Sequence, residues 1–493
     1  MKLVKSLLLG SAAGLIAVGG AQAADLPVKA KAVEYVKICS LYGAGFYYIP
    51  GTDTCIKLGG YVRADVLANT NSDYGIGQGA PAGAKNRLSN YYQTRARMDF
   101  NVDTRTATEY GVVRTYADMI FSYDTPSVTG SSPSTAPSGS ASLGLYHAFI
   151  QFAGFTLGRT VSIFDAPWQS YPAGGPDFLP GGSNYVTGIN QIAYTADFGQ
   201  GITGSLAVQD QSTGAGGQSK LWNTTGSTAA TFIQGTYGAS DWGGTRVPDI
   251  VGQVRVDQAW GLFQLSAVAH NIHSAYYGAT EVTGHPDDKW GWAVQGALSI
   301  KNIPTGAGDS INLQAVYTDG ASHYNFQSLF PQTIFMYGGS GIAYQSLGFA
   351  GIADGVFGAG TGIDTVKTWG FRGGFTHNWA PGWASGIYGA YAQLKYGDTG
   401  KALICANFAA SLAPSAGATC NPDFNLAVIG GNIVWTPVKN LAFTADVSYV
   451  WLDQKYSGTI VAPASATVAK PAATYELKDQ GNLQLLLRAQ RSF

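Results

Sequence analysis

The sequence predicts an all-β fold, a sixteen-stranded antiparallel up-and-down transmembrane β-barrel, and three observations lead to it. Segments of alternating polar and apolar residues recur along the chain, and short and long connections alternate between them. After the N-terminus, no segment approaches the ~18 consecutive apolar residues that a membrane-spanning helix needs. A closed barrel pairs all its backbone groups between strands, so it can cross a membrane without helices.

The clearest strand lies in the segment Tyr91–Arg105, whose residues alternate almost perfectly between polar and apolar. Because side chains alternate across a β-strand, this segment has one charged face and one apolar face. At ~3.3 Å per residue it would be ~50 Å long, which exceeds the usual strand of a soluble protein. The charged face carries Gln93, Arg95, Arg97, Asp99, Asn101, Asp103 and Arg105, and the apolar face carries Tyr92, Ala96, Met98, Phe100 and Val102.

Period-two alternation and turn residues together predict sixteen strands. Their approximate spans are 55–68, 91–106, 108–123, 142–153, 155–161, 189–198, 201–210, 249–257, 260–272, 289–302, 309–319, 363–379, 382–396, 423–436, 440–455 and 480–493.

The connections between these strands alternate strictly between tight turns and long segments rich in Gly, Ser and Pro. Outer-membrane barrels have short turns on the periplasmic side and long loops outside the cell. The pattern therefore predicts an even number of strands, with both ends of the barrel on the short-turn side. The long connections lie near 69–90, 124–141, 162–188, 211–248, 273–288, 320–362, 397–422 and 456–479.

Composition supports a lipid-facing barrel and disfavours other classes of protein. Only 12% of residues are charged, against ~25% in typical soluble proteins, while aromatic residues reach 12% and glycines number 66. A formal net charge of −1 gives no basic excess for a nucleic-acid partner. The expected partners are outer-membrane lipid and small solutes and ions, and no cofactor is expected.

The N-terminus has the pattern of a secretory signal peptide. Lys2 and Lys5 precede the apolar run Leu7–Val18, and Ala21-Gln22-Ala23 forms an A-x-A cleavage site. We therefore expect residues 1–23 to be removed and residues 24–493 to form the barrel domain. The predicted location is the outer membrane of a Gram-negative bacterium.

Four cysteines permit three disulfide connectivities, and sequence alone does not choose among them. Proximity in the chain favours Cys39 with Cys55 and Cys405 with Cys420, in an exported protein that meets an oxidising compartment. A zinc site is disfavoured because the spacings are not C-x-x-C and no histidine is near. The first pair would tie down an N-terminal segment over residues 24–54.

Several motifs resemble those of a known family. The segment from Cys39 to Arg63, CSLYGAGFYYIPGTDTCIKLGGYVR, is similar to the start of mature alphaproteobacterial general porins of the rhizobial and Brucella type. The similarity continues through LGRTVSIFD from Leu157, CNPDFN from Cys420 and WTPVKN from Trp435, and is weakest over 211–248 and 320–362. The resemblance implies trimeric, sixteen-stranded, water-filled channels that pass small hydrophilic solutes passively.

The resemblance also implies an inward-folded third loop that narrows the channel, here residues 162–188. This loop carries Asp165 and Asp177, and aromatic residues such as Trp168 and Tyr185 could pack it against the wall. Acidic residues facing basic ones across a pore would set up a transverse field. The alternative is that arginines are neutralised along their own strands, as Arg95–Asp99 or Arg114–Asp118. The candidate basic residues of the constriction are Arg63, Arg95, Arg97, Arg114 and Arg159.

Two other functions are alternatives to the passive channel: an outer-membrane barrel hydrolase and a structural or adhesive barrel. The sequence contains no G-x-S-x-G elbow, P-loop or H-E-x-x-H motif, so no catalytic residue is predicted. His270 and His273 are three residues apart, so on a strand they point to opposite faces and would not share a metal. No metal site is predicted.

Overall fold

The computed structural model describes residues 37–71, 83–125, 140–168, 179–214, 219–238, 241–327, 330 and 332–493. The predicted signal peptide, residues 1–23, lies outside the described residues. Sixteen antiparallel strands form one closed barrel, because the first strand pairs with both the second and the last. Within the described ranges, no helix has the length and apolar character needed to cross a membrane.

All sixteen predicted strands are present, including the short fifth one. The barrel strands are β1 Cys55–Asn69, β2 Tyr92–Thr108, β3 Gly111–Asp124, β4 Ser140–Phe152, β5 Phe155–Thr160, β6 Ile189–Asp197, β7 Ile202–Asp210, β8 Asp249–Gln258, β9 Gly261–Ile272, β10 Lys289–Lys301, β11 Ser310–Asp319, β12 Lys367–Ala380, β13 Trp383–Lys395, β14 Phe424–Val438, β15 Leu441–Gln454 and β16 Gln480–Ser492.

The outer face of the barrel is apolar, as the alternation predicts. Outward side chains such as Met98, Phe371 and Trp451 are 41%, 50% and 42% exposed, although they are large and hydrophobic. Such a continuous apolar exterior suits lipid, where every backbone polar group must be paired within the barrel. The predicted lipid-facing register is therefore confirmed.

Tight turns join the strands at the periplasmic end. Between β4 and β5, Ala153 and Gly154 both have positive φ, 47° and 84°, as a two-residue hairpin turn matching the strand twist requires. The alternation of such turns with eight long loops confirms the predicted up-and-down topology.

Both predicted disulfides are confirmed, Cys39–Cys55 and Cys405–Cys420. The first joins the N-terminal segment to the start of β1, and this segment pairs with β1 through the short strand Tyr47–Tyr48. The guanidinium of Arg105 lies 4.9 Å from the ring centre of Phe46, so the segment also packs against β2. The second disulfide lies in the seventh long loop. It joins the helix Asp398–Leu412 to the segment that precedes β14.

The long loops contain further secondary structure. Three helices, α1 Ala229–Ile233, α2 His323–Phe326 and α3 Asp398–Leu412, lie in the fourth, sixth and seventh loops. A four-stranded sheet orders Thr333–Gly338, Gln345–Gly351, Ala473–Leu477 and Gly458–Ala462, and a three-stranded sheet orders Asp364–Thr365, Gly355–Phe357 and Leu221–Asn223. Short 3-10 turns cover Ser40–Tyr42, Gln211–Thr213, Thr224–Gly226 and Glu281–Thr283.

The fourth, sixth, seventh and eighth loops pack together into what we call the loop cap, comprising the described parts of 211–248, 320–366, 396–423 and 455–479. Its centre is a fully buried aromatic cluster that includes Trp222, Phe232 and Phe349. The cap is fixed to the inner wall: the Gln454 side chain accepts from Phe349 N at 2.9 Å, and Gln480 Nε2 donates to Ser346 Oγ at 2.8 Å. The cap therefore occupies the long-loop end of the barrel beside β15 and β16.

Candidate functional site

The inner face of β1–β3 is lined with charged side chains, and we call this surface the charged wall. The strand register places every second residue of β2, from Gln93 to Arg105, on the inside. The neighbouring Val62, Met98 and Phe121 are exposed on the outside. The arginines therefore point into the barrel, as predicted. The charged members of the wall are Arg63, Asp65, Arg95, Arg97, Asp99, Asp103, Arg105, Arg114, Asp118 and Asp124.

Several members of the charged wall pair between neighbouring strands. Arg95 makes a two-point contact with Asp124 at 2.7 and 2.6 Å, and Arg114 and Arg105 both contact Asp103, at 2.9 Å each. These carboxylates differ from those in the sequence-based alternative, which paired Arg95 with Asp99 and Arg114 with Asp118. Asp118 instead contacts His147 on β4, at 3.0 Å.

Arg63 and Arg97 are placed directly opposite each other on β1 and β2. Arg63 Nε donates to Gln490 Oε1 at 2.9 Å and Arg97 Nε donates to Ser122 Oγ at 2.9 Å. Like charges directly opposite on adjacent strands are destabilising, so the barrel keeps two arginines together at a cost in stability.

The third long loop begins inside the barrel and runs along the inner wall. Its backbone carbonyl oxygens are held by a row of glutamine side chains, one from each of several consecutive strands. Gln191 donates to Val161 O at 2.7 Å, Gln253 to Ile163 O at 2.6 Å, and Gln295 to Phe164 O at 2.8 Å. Gln264 Nε2 adds a contact to Asp165 O at 2.9 Å. The loop is thus attached along β6 to β10 by neutral amides.

Arg372 on β12 anchors the returning half of the third loop. Its side chain is 1% exposed, and it donates to Leu179 O at 3.1 Å and to Ser183 O at 2.8 Å. The alternation of β12 places Arg372 on the inner face, but no local sequence pattern connects it to the loop. The sequence signal that could have identified it is an arginine at an inward position of a wall strand. Such a guanidinium is rarely buried without acceptors.

Asp165 and Asp177, the predicted acids of the constriction, differ in what the structure describes. The Asp165 carboxyl is buried and accepts the backbone N–H of Tyr185 at 2.5 Å, so it joins the two halves of the third loop. Burial raises the pKa of Asp165 to about 6, an effect that the nearby Arg372 guanidinium opposes. Asp177 lies outside the described residues.

Arg159, the remaining predicted arginine, holds the base of the third loop. Its guanidinium donates to three backbone carbonyls, Leu145 O at 3.0 Å, Thr187 O at 2.8 Å and Thr213 O at 2.5 Å. The structure thus brings Arg63, Arg95, Arg97 and Arg114 together on one wall, and places Arg159 with the loop anchors.

Two neighbouring cavities lie beside the third loop, toward the periplasmic turns. One, of about 440 Å³, is lined by β5 to β8 and by Asp165 to Pro167 of the loop. The other, of about 630 Å³, is lined by Arg105, Arg114 and the turn from β4 to β5. Both contain Gln151 and Thr203 in their linings, so they are neighbours, and the second adjoins the lower charged wall.

Comparison with known proteins agrees with this architecture. A family profile described as "Porin subfamily" matches residues 25–486. The chain belongs to this porin family. It is 32% identical over 332 residues to Porin Omp2b of Brucella suis biovar 1, which covers 64% of this chain and 85% of that protein. Porin Omp2b of Brucella melitensis biotype 1 matches over the same shares at 32% identity.

A solved structure supports the fold alone. The outer membrane channel DcaP of Acinetobacter baumannii superposes with a TM-score of 0.56 at 15% identity, covering 90% of this chain and 99% of that one. Family membership and the closed barrel make this protein a passive outer-membrane channel rather than an enzyme. The predicted fold class, location and channel activity are therefore confirmed.

Proposed function

We propose that the selectivity of this porin is set along the charged wall, where Arg63 and Arg97 face the path of small hydrophilic solutes and ions. The observation that carries the proposal is the cross-strand placement of these two arginines, opposite each other on β1 and β2. Rings and rows of charged side chains are how channels discriminate between ions. In a lumen with low-dielectric walls, such charges act more strongly than in bulk water.

The distribution of polar and apolar surface inside the barrel supports a path on this side. The inner wall of β13–β15 is covered by the loop cap near the long-loop end, so it offers no polar surface there. One of the two cavities, in contrast, is lined by the charged side chains of Arg105 and Arg114. A solute crossing the barrel would therefore pass the charged wall on one side and the third loop on the other.

The roles of the other predicted residues in the proposal follow from their contacts. Arg95 and Arg114 are largely neutralised by Asp124 and Asp103, so they shape the wall more than its net charge. Asp165 and Arg159 fix the position of the third loop, which sets the width of the passage. Asp177 stays a candidate for the acidic side of the constriction.

The test is the reversal potential of single channels in a salt gradient. Replacing Arg63→Glu with Arg97→Glu changes the local charge by four elementary units, two for each substitution. We expect the reversal potential to move toward that of a cation-selective pore, with a larger shift at low salt because screening acts over about 10 Å at 0.1 M.

The matched control is Arg246→Glu with Lys289→Glu, which makes the same change in charge at two exposed positions near the long-loop end. This control should shift the reversal potential much less. An equal shift in the two double variants would show that net charge, and not the charged wall, determines selectivity.

We also propose that the protein assembles as a homotrimer, as the family resemblance implies. The measurement is the mass of the folded protein in detergent by light scattering. A monomeric mass for a conducting preparation would contradict this part of the proposal.

A further inference from the structure

A buried cluster of histidine and carboxylate side chains lies where the fourth and sixth loops meet the ends of β8 and β9. Asp249 begins β8, His270 lies on β9, and His323 begins α2 in the sixth loop. All three are 0% exposed. One donor atom from each lies within 4.8 Å of the donor atoms of the other two. Imidazole nitrogen and carboxylate oxygen are the ligands that zinc and related cations use in proteins.

Residues outside the trio hold two of its members in place. Outside the trio, Ser219 Oγ lies 2.8 Å from His270 Nε2. Within the trio, His270 Nδ1 lies 2.8 Å from Asp249 Oδ1, and a bound cation would replace the proton between these two atoms. Tyr324 OH donates to the other oxygen of Asp249 at 2.6 Å. In metal sites, ligating histidines and carboxylates are oriented by outer partners of this kind.

The buried side chain of His323 indicates that this cluster binds a ligand. Its ring is fully buried, and among the described residues neither nitrogen has a hydrogen-bond partner. The nearest carboxylate oxygen, Oδ1 of Asp354, lies 3.9 Å from Nδ1. Buried polar side chains nearly always have a partner. An imidazole without one, beside a histidine and an aspartate, therefore indicates a ligand.

The charge of the surroundings favours a cation. Asp249 and Asp354 are buried carboxylates. Lys220 is also buried: its backbone N–H donates to Asp354 at 2.7 Å, and its ammonium donates to Phe330 O at 3.3 Å. With both imidazoles neutral, the two negative charges and one positive charge leave a net charge of −1. A cation, or a proton taken up by His270, would offset this excess.

We propose that Asp249, His270 and His323 bind one divalent transition-metal cation of the zinc class, with a water as the remaining ligand. The site would join β8 and β9 to the sixth loop and so attach the loop cap to the barrel wall. This inference goes beyond the proposed selectivity, and its readout is metal content, so either can fail without the other. Because the trio is fully buried, we expect the cation to enter during folding.

The experiment is to refold the full-length mature chain with Zn²⁺, remove loosely bound metal with a weak chelator, and measure zinc by mass spectrometry. We expect one zinc per chain. His323→Ala should lower the zinc affinity by more than about 100-fold, because losing a ligand exceeds the 10–100-fold typical of losing an outer partner. Ser219→Ala, which removes only an outer partner, should lower it by about 10-fold.

The matched control is His377→Ala, which removes a histidine that contacts the single carboxylate of Asp309 at 2.6 Å, near the turn between β12 and β13. It should retain one zinc per chain. Circular dichroism and conductance would verify that each variant folds. Absence of zinc from refolded wild type, or wild-type affinity in a folded His323→Ala variant, would overturn the proposal and leave a proton on His270 as the counter-charge.

Discussion

The inner walls of β1–β3 and β13–β15 obey the same alternation but face different surroundings. On β1–β3, every second residue points inward and many of these residues are charged. On β13–β15, the inward residues near the long-loop end are apolar and fully buried under the loop cap. They include Leu394, Leu426, Val428, Val450 and Leu452.

The difference shows what a period of two does and does not report. Alternation identifies which side of the barrel a residue faces, but not whether that side contains water or protein. Where the cap covers the wall, both faces of a strand are apolar, as in β14 with buried Leu426 and exposed Ile429. Such a strand reads as nearly continuous hydrophobic sequence, which is typical of strands covered on both faces.

The largest effect should come from the covered wall. Phe349→Ala removes a fully buried ring from the cap, stacked near Phe232 with ring centres 4.4 Å apart. We expect a loss of about 3–5 kcal/mol in the free energy of unfolding, since a cavity forms in a packed core. Reversal potential should not change. Denaturant unfolding measures the loss, and Phe121→Ala, on the exposed outer face of β3, is the control with a smaller expected loss.

A smaller effect should follow from releasing the third loop. Arg372→Ala removes the donor to Ser183 O, while Leu179 O keeps Gln327 Nε2 as a donor at 2.8 Å. One orphaned buried acceptor costs about 1–3 kcal/mol. We expect faster proteolysis within the third loop and a change in single-channel conductance. Unchanged conductance and proteolysis would mean that the glutamine row holds the loop unaided.

The neutral replacement of a wall ion pair should have less effect still. Arg95→Gln with Asp124→Asn removes both charges of one two-point pair and leaves the net charge unchanged. We expect a loss of about 1 kcal/mol or less and the wild-type reversal potential. A shift as large as that of the Arg63 and Arg97 double variant would place selectivity in the paired residues.

A further prediction is a pH dependence from Asp165, whose pKa is raised to about 6 by burial. The unfolded carboxyl has a pKa of about 3.9, so between pH ~4 and ~6 the native state binds more protons. The contribution of Asp165 to the free energy of unfolding therefore falls as the pH rises through this window. Asp165→Asn should remove that slope in denaturant unfolding at several pH values, and an identical slope in both proteins would contradict the prediction.

The strands, the turns and the disulfides could be read from the sequence because each depends on nearby residues. Alternation, Gly-containing turns such as Ala153-Gly154, and cysteines 16 and 15 residues apart are all local signals. The partners of Arg95 and Arg114 could not be predicted from the sequence, because they depend on the register between strands. The third-loop anchors were missed for a related reason: Gln295 contacts a carbonyl 131 residues away, and a neutral amide carries no charge pattern that marks it.

The loop cap was missed as a packed body, although its residues carried a hint. The segments 211–248 and 320–362 resemble the family least and supply much of its buried core. Because their partners lie on other loops, no periodicity within either segment could show that they fold together.

The pairing of β1 with β16 affects the order in which the barrel assembles. Arg63 and Gln490, which contact each other across it, are 427 residues apart in the chain. Ribosomes and export machinery deliver the first of these long before the second, and contacts between distant residues form slowly. The barrel therefore closes last, so a truncated or stalled chain would possess the charged wall of β1–β3 but no closed pore.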